Sequence, residues 1–190
     1  MDIRAILLAS GLTSWPMLAF GQAVTFADLQ GAVIEVGAVR QMRVSREGSV
    51  RSPEVHTTGQ IKIGPGDTIV TTFANTAIRD GRARAGTPGS GKFTLGEPRK
   101  TRDGDDVVWM FANNSLVRLR AHGQDGAGGQ KMTIAFQRSP SSLLCVFSIE
   151  FAREDNVAEI RTHSRIDGKL VQILESKQVS SNCKVVKSDQ

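Results

Sequence analysis

The chain has 190 residues and a formal net charge of +5, with 39% hydrophobic, 5% aromatic and 23% charged residues. That length makes one domain with room for a real core. Beyond the N-terminal stretch no segment approaches membrane-spanning length, which excludes a multi-span helical protein.

Residues 1–23, MDIRAILLASGLTSWPMLAFGQA, have the order of a secretory signal peptide. Arg4 stands in a short start, partly offset by Asp2. An apolar run from Ala5 to Leu12 follows, Pro16 breaks it, and Ala19, Gly21 and Ala23 supply small residues for a peptidase. Ser10, Gly11, Thr13 and Ser14 interrupt the run too often for a membrane anchor. Cleavage is expected after Gly21 or Ala23, and no cysteine follows to carry a lipid. Residues 24–190 then form a single domain that works in the periplasm or outside the cell. Most ATP-, NAD- and GTP-dependent chemistry is excluded there, and disulfides are permitted.

Down the chain, Thr25 and Gly31 bracket a short helix at Phe26–Gln30. Val33–Val44 reads as a strand whose apolar set moves from Ile34 and Val36 to Met42 and Val44. The break near Ala38-Val39 predicts a β-bulge eased by Gly37. Glu47-Gly48 turns Gln41–Arg46 into Ser49–Val55, and Gly64-Pro65-Gly66 turns Gln60–Ile63 into Thr68–Ala77. Residues 79–92, RDGRARAGTPGSGK, read as a long irregular loop. Val107–Ala112 and Ser115–Ala121 form a hairpin about Asn113-Asn114, a pair suited to positive φ. Residues 122–130 read as a second loop. Met132, Ile134 and Phe136 oppose Lys131, Thr133 and Gln137. Past Ser139-Pro140, Leu143, Cys145, Phe147, Ile149 and Phe151 share one face. Arg153–Asn156 leads into a strand over Val157–Ser164, and Asp167-Gly168 joins it to Lys169–Lys177.

Alternation of this kind gives roughly nine or ten half-buried strands linked mostly by hairpins. The fold class is all-β. An antiparallel meander closing as an up-and-down barrel, lipocalin-like in size, is the first expectation, and a two-sheet β-sandwich is the alternative. The Gly-x-Trp opening of lipocalins is missing, so that likeness is one of shape. If the sheet closes, Trp109, Phe111, Leu119, Ile134 and Phe136 alternate inward on successive strands and are the candidates to line a ligand space. On the same phase Arg118 and Arg120 point outward as a basic stripe.

Gly86-Thr87-Pro88-Gly89-Ser90-Gly91-Lys92 has the outline of a phosphate-binding loop. Phe93 stands where Ser or Thr must hold magnesium, however, and a strand follows instead of a helix. His56, His122 and His163 are scattered, with His122 near Asp125 the only local pair. Asp103-Gly104-Asp105-Asp106 lacks the spacing of a calcium loop. No Gly-x-Ser-x-Gly elbow occurs. Asn113-Asn114-Ser115 fits a glycosylation acceptor but serves better as a turn. No metal, cofactor or catalytic residue is implied. A hydrolase whose carboxylates meet only in space leaves no spacing signature and stays open as the alternative function.

Cys145 and Cys183 are the two cysteines of the chain, an even number that reads as one disulfide in an exported protein. The charge excess gathers in Arg79, Arg82, Arg84, Lys92, Arg99, Lys100 and Arg102, a basic surface suited to anionic partners. Nucleic acid is disfavoured, since only Phe93 interleaves an aromatic with these charges. The mature part has no tyrosine, which argues against a carbohydrate-binding or antibody-like surface.

The segments IKIGPGDTI, GKFTLGEPRKTRDGDDVVWMF and QVSSNCKV resemble small, uncharacterised exported proteins of alphaproteobacteria across most of the mature chain. That resemblance implies bacterial export and transfers no site. The sequence therefore points to an exported, non-catalytic β-domain that binds a small apolar or anionic ligand or an envelope component.

Overall fold

The computed structural model describes residues 23–46, 49–101, 104–121, 129–151, 162–166 and 169–187. Residues 1–22 of the expected leader, Arg102, residues 122–128 with His122 and Asp125, and the Glu47-Gly48 and Asp167-Gly168 pairs expected to turn lie outside them. So does the Val157–Arg161 part of the strand expected over Val157–Ser164.

A 3-10 helix, Phe26–Leu29, precedes thirteen strands among the described residues. They are β1 (Ala32–Arg46), β2 (Ser49–Arg51), β3 (Glu54–Ile63), β4 (Thr68–Arg79), β5 (Arg82–Ala85), β6 (Gly89–Thr94) and β7 (Arg99–Lys100). They continue with β8 (Asp106–Ala112), β9 (Ser115–Ala121), β10 (Gly129–Arg138), β11 (Leu143–Phe151), β12 (Thr162–Ile166) and β13 (Lys169–Lys187). The first sheet runs β12-β13-β1-β3-β4-β5, with β2 on β1 and β6 on β4; the second runs β11-β10-β9-β8-β7. All pairings are antiparallel.

No sheet closes into a barrel, because the chain leaves the first sheet after β6 and β13 returns to pair with β1. The two sheets share one apolar core instead. Side chains and single backbone bonds join them along two seams. At one, the Gln178 side chain accepts from the Ile149 amide at 2.9 Å and donates to the Phe147 carbonyl at 3.3 Å. It thereby satisfies an edge of β11 that no strand pairs. Cys145 and Cys183 form a disulfide across this seam, with Cα atoms 5.5 Å apart and 38 residues between them. At the other seam, just past β6, the Gly96 amide donates to the Trp109 carbonyl on β8.

Turn residues behave as their chemistry dictates. Asn113 and Asn114 take φ of 49° and 56°, closing β8 on β9 with a two-residue turn. Asp80 and Gly81 do the same at 48° and 71°. Residues 79–92 are thus no irregular loop: the β4–β5 hairpin and most of β6 occupy them. The phase break expected in β1 is also absent. Its register with β3 runs without interruption from Val33 opposite Lys62 to Gln41 opposite Glu54. The bulges lie in the partner, where the β1–β13 register shifts after Val39 and Arg43 and so skips Val179 and Leu174. What looked like a change of phase is a charged residue, Arg40, on the core side of β1.

At the end of the interior nearest the helix, Phe26 packs tilted on Phe111, which stacks on Phe136, with ring centroids 5.8 and 6.4 Å apart. Leu29, Ile34, Leu116 and Ile134 are buried around them. Asp28 holds the helix in place by accepting from the Thr25 amide and hydroxyl, both at 2.8 Å, and from Arg138 at 2.6 Å. These donors, the Thr25 amide foremost, hold its carboxyl well below the usual carboxylate range.

Candidate functional site

The other end of the interior, where β1, β4, β9 and β11 finish and β3, β8, β10 and β13 begin, is built differently. Arg40 lies on the inner face of β1 and is 3% exposed. One guanidinium nitrogen, Nη2, donates to Thr57 Oγ1 at 3.1 Å, and that hydroxyl in turn donates to Asn75 Oδ1 at 2.6 Å. Nε and Nη1 are buried with no hydrogen-bond partner. The guanidinium carbon stands 5.2 Å from the centroid of the Phe151 ring, a cation–π contact that offsets only part of the lost hydration. Burial pulls its pKa down to about 10. It remains charged at neutral pH, so this is a cation held in the interior with two donors aimed at nothing. Such a group costs stability unless an acceptor meets it.

Phe151 stands directly opposite Gln130 on β10, and Gln130 opposite Arg120 on β9. Arg118, one inward position further along β9, donates to Gln130 Oε1 at 3.3 Å and lies 3.9 Å from the Met132 sulfur. Arg120 pairs with Asp105, its Nε donating to Oδ2 at 2.7 Å. Asp105 is 5% exposed, and its backbone amide donates to Thr101 Oγ1, which fixes the backbone there. Burial first, and the neighbouring charge of Arg120 second, lower the Arg118 pKa to about 10, while Asp105 acts in the opposite direction. Arg40, Phe151, Gln130, Arg118 and Arg120 therefore form one continuous run of inner-face residues. Trp109, directly opposite Arg118, marks the boundary with the apolar end. Its indole N–H is also buried without an acceptor.

This arrangement corrects two of the sequence expectations. Arg118 and Arg120 belong to no outer stripe: they share the inner face with Trp109 and Val107, the residues opposite them. Leu119 does not line the interior, because it pairs with Val108 and Lys131 on the outer face. The two-residue turn causes both results. With Ala112 opposite Ser115, the ladder must bring Trp109 opposite Arg118, and a buried tryptophan then carries the arginine inward. The structure does bring Trp109, Phe111, Ile134 and Phe136 together, yet as mutually packed rings and aliphatic groups. Phe93 also meets the Trp109 ring at 6.4 Å.

The remaining basic residues lie outside. Arg79, Arg82, Arg84, Arg99 and Lys100 are exposed. Arg79 contacts Asp80 at 3.2 Å, Lys100 contacts Asp106 at 3.2 Å, and Arg99 donates to the Lys92 carbonyl beneath the Phe93 ring. Arg40, Thr57, Asn75 and Gln130 escaped the sequence reading, and Asp105 entered it only in the acidic run that lacks calcium-loop spacing. An arginine between Ala38 and Met42 on the apolar phase of a long strand was the available signal.

Among the described residues, no three His, Cys, Asp or Glu side chains gather into a group that could hold a metal, and no helix is long and apolar enough to cross a membrane. Asp105 is the one fully buried carboxylate among them, and it faces an arginine instead of a second acid. What the arrangement offers chemically is a set of buried N–H donors bearing positive charge, suited to a carboxylate or phosphate. Comparison of the chain with protein-family models, with curated proteins and with solved structures returns no match.

Proposed function

We propose that the chain is an exported, non-catalytic β-domain that binds a small anionic ligand at the arginine-lined end of its interior. The observation that carries this reading is Arg40, a buried guanidinium with Nε and Nη1 unpartnered. Those two nitrogens lie on different edges of the planar guanidinium, so each is a separate open donor for an oxygen of a carboxylate or phosphate. Arg118 and the Trp109 indole add charge and a neutral donor along the same inner face. An anion is favoured over an apolar ligand because aromatic rings pack the apolar end against one another.

The bridge between Cys145 and Cys183 supports an oxidising, non-cytoplasmic environment. In this reading residues 1–23 are the leader that sends the chain to the periplasm or beyond, and the domain belongs with the small exported proteins of alphaproteobacteria that it resembles.

Calorimetric titration of the mature protein with inorganic phosphate at low ionic strength tests the binding. Saturable one-site binding is expected, lost in Arg40→Met and retained in the surface control Arg99→Met. Equal binding by wild type and Arg40→Met would refute it.

A further inference from the structure

The β4–β5 hairpin carries the same face outward. Across the first sheet Arg40 stands opposite Val55, Val55 opposite Ala77, and Ala77 opposite Arg84. Directly opposed residues share a face, so Arg40 and Arg84 lie in one row, three strand spacings or roughly 14 Å apart. Only a valine and an alanine stand between them. Sheet twist of roughly 20° per strand makes the row a curved one. One inward position further toward the hairpin tip, Arg79 stands directly opposite Arg82. Like charges facing each other across a strand pair oppose folding, and Asp80, on an exposed turn, meets only the Arg79 side of that pair. A buried cation with open donors thus continues into an exposed row of cations on a single face.

We propose that the ligand is an oligoanion, a flexible chain bearing repeated phosphate or carboxylate groups. One group sits on Arg40, and the chain runs out along the Arg84, Arg82 and Arg79 face of the hairpin. This rests on the proposed anion site and adds the length and multiplicity of its ligand. A single anion satisfies Arg40 and leaves the hairpin row unexplained; a chain meets both, and the second contact becomes intramolecular once the first is made. The row carries no aromatic side chain between its arginines, so it lacks the stacking platform that single-stranded nucleic acid uses.

The experiment compares the mature protein's affinity for medium-chain linear polyphosphate with that for inorganic phosphate, and for oligogalacturonate with that for galacturonate. At least one chain is expected to bind on the order of tenfold or more tighter than its monomer, and which one does so identifies the anionic group. The combined variant Arg79→Gln, Arg82→Gln, Arg84→Gln should remove that advantage and leave inorganic phosphate binding unchanged. Because these side chains are exposed and two of them face each other as like charges, its unfolding temperature should be no lower than wild type. Chains that bind no tighter than monomers, an advantage that survives the triple variant, or oligo-dT bound as tightly as the better chain would each overturn the inference. Failure of inorganic phosphate to bind wild type refutes the underlying anion site instead.

Discussion

The two ends of the interior obey opposite rules. At the helix end, Phe26, Phe111 and Phe136 pack on one another, and the charged pair Asp28–Arg138 stays at the rim. At the other end Arg40, Arg118 and Arg120 turn inward among Thr57, Gln130 and Phe151, and only Arg120 meets a carboxylate. The first arrangement is close to what stability alone selects, since apolar area leaves water and Arg138, whose Nε is buried without an acceptor, still has its Asp28 partner. The second spends stability, because buried donors without acceptors are a penalty that apolar residues of similar volume would avoid. Under the proposed function, the second end is kept for its anionic ligand.

The sharpest way to break that contrast is at the apolar end. Phe136→Ala should cost about 3–5 kcal/mol, measured by urea unfolding, while inorganic phosphate binding by the folded protein persists. Loss of binding with an unchanged fold would mean that the ends are not separate. Next in size is the seam that holds both ends together. Removing the bridge with Cys145→Ala and Cys183→Ala frees a 38-residue loop, and the chain-entropy account puts the cost at about 4 kcal/mol. A change below ~1 kcal/mol in denaturant unfolding would show that strand packing alone fixes the seam.

Gln178 offers a finer cut at the same place. Gln178→Ala strands the Ile149 amide and Phe147 carbonyl, so a loss of about 1–2 kcal/mol is expected. Faster exchange of the Ile149 amide proton should accompany it. If that proton exchanges as slowly as before, the side chain is not the bond that protects it.

How far the sequence discloses this contrast depends on which physical signal dominates locally. The short helix, the Asn113-Asn114 turn, the Cys145–Cys183 pair and the inward phase of β10 and β11 were all legible, since turn chemistry and strict alternation agree there. In β9 they disagree. Residues 116–121, LVRLRA, read by polarity, put Val117 and Leu119 inside, whereas the ladder fixed by the preceding turn puts Arg118 and Arg120 there. The turn prevails because register is set by backbone hydrogen bonds across the whole hairpin, while polarity offers only a preference at each residue. Arg40 was hidden for the same reason: a charge on the core phase of β1 imitates a bulge. The two-sheet arrangement is less legible than the strands themselves, because hairpin counting does not reveal where a chain changes sheets.

A smaller effect separates the ends by pH. Burial lowers the Arg40 and Arg118 pKa values to about 10, below the usual arginine value. Between those values the unfolded chain binds more protons than the folded one, so the contribution of these two groups to stability rises with pH. Anion affinity runs the other way, steady at neutral pH and falling as pH rises through about 10. Titrations with inorganic phosphate from about pH 8 to about pH 11 should show that decline. A flat profile would place the bound anion away from these two groups. Asp28 at the helix end titrates in the acid range, where its folded pKa lies below the usual 3.8. Its stabilising effect is present above that value and lost as pH falls below it.

The most direct measurement is the stability of Arg40→Met against wild type, with and without inorganic phosphate. Without phosphate the variant should be the more stable protein, on the order of 1–3 kcal/mol by denaturant unfolding, since a buried guanidinium lacking acceptors gives way to an apolar chain of similar length. With phosphate, wild type should gain stability and the variant should not. A variant less stable than wild type, and stabilised by phosphate to the same degree, would make Arg40 a structural residue and contradict the account.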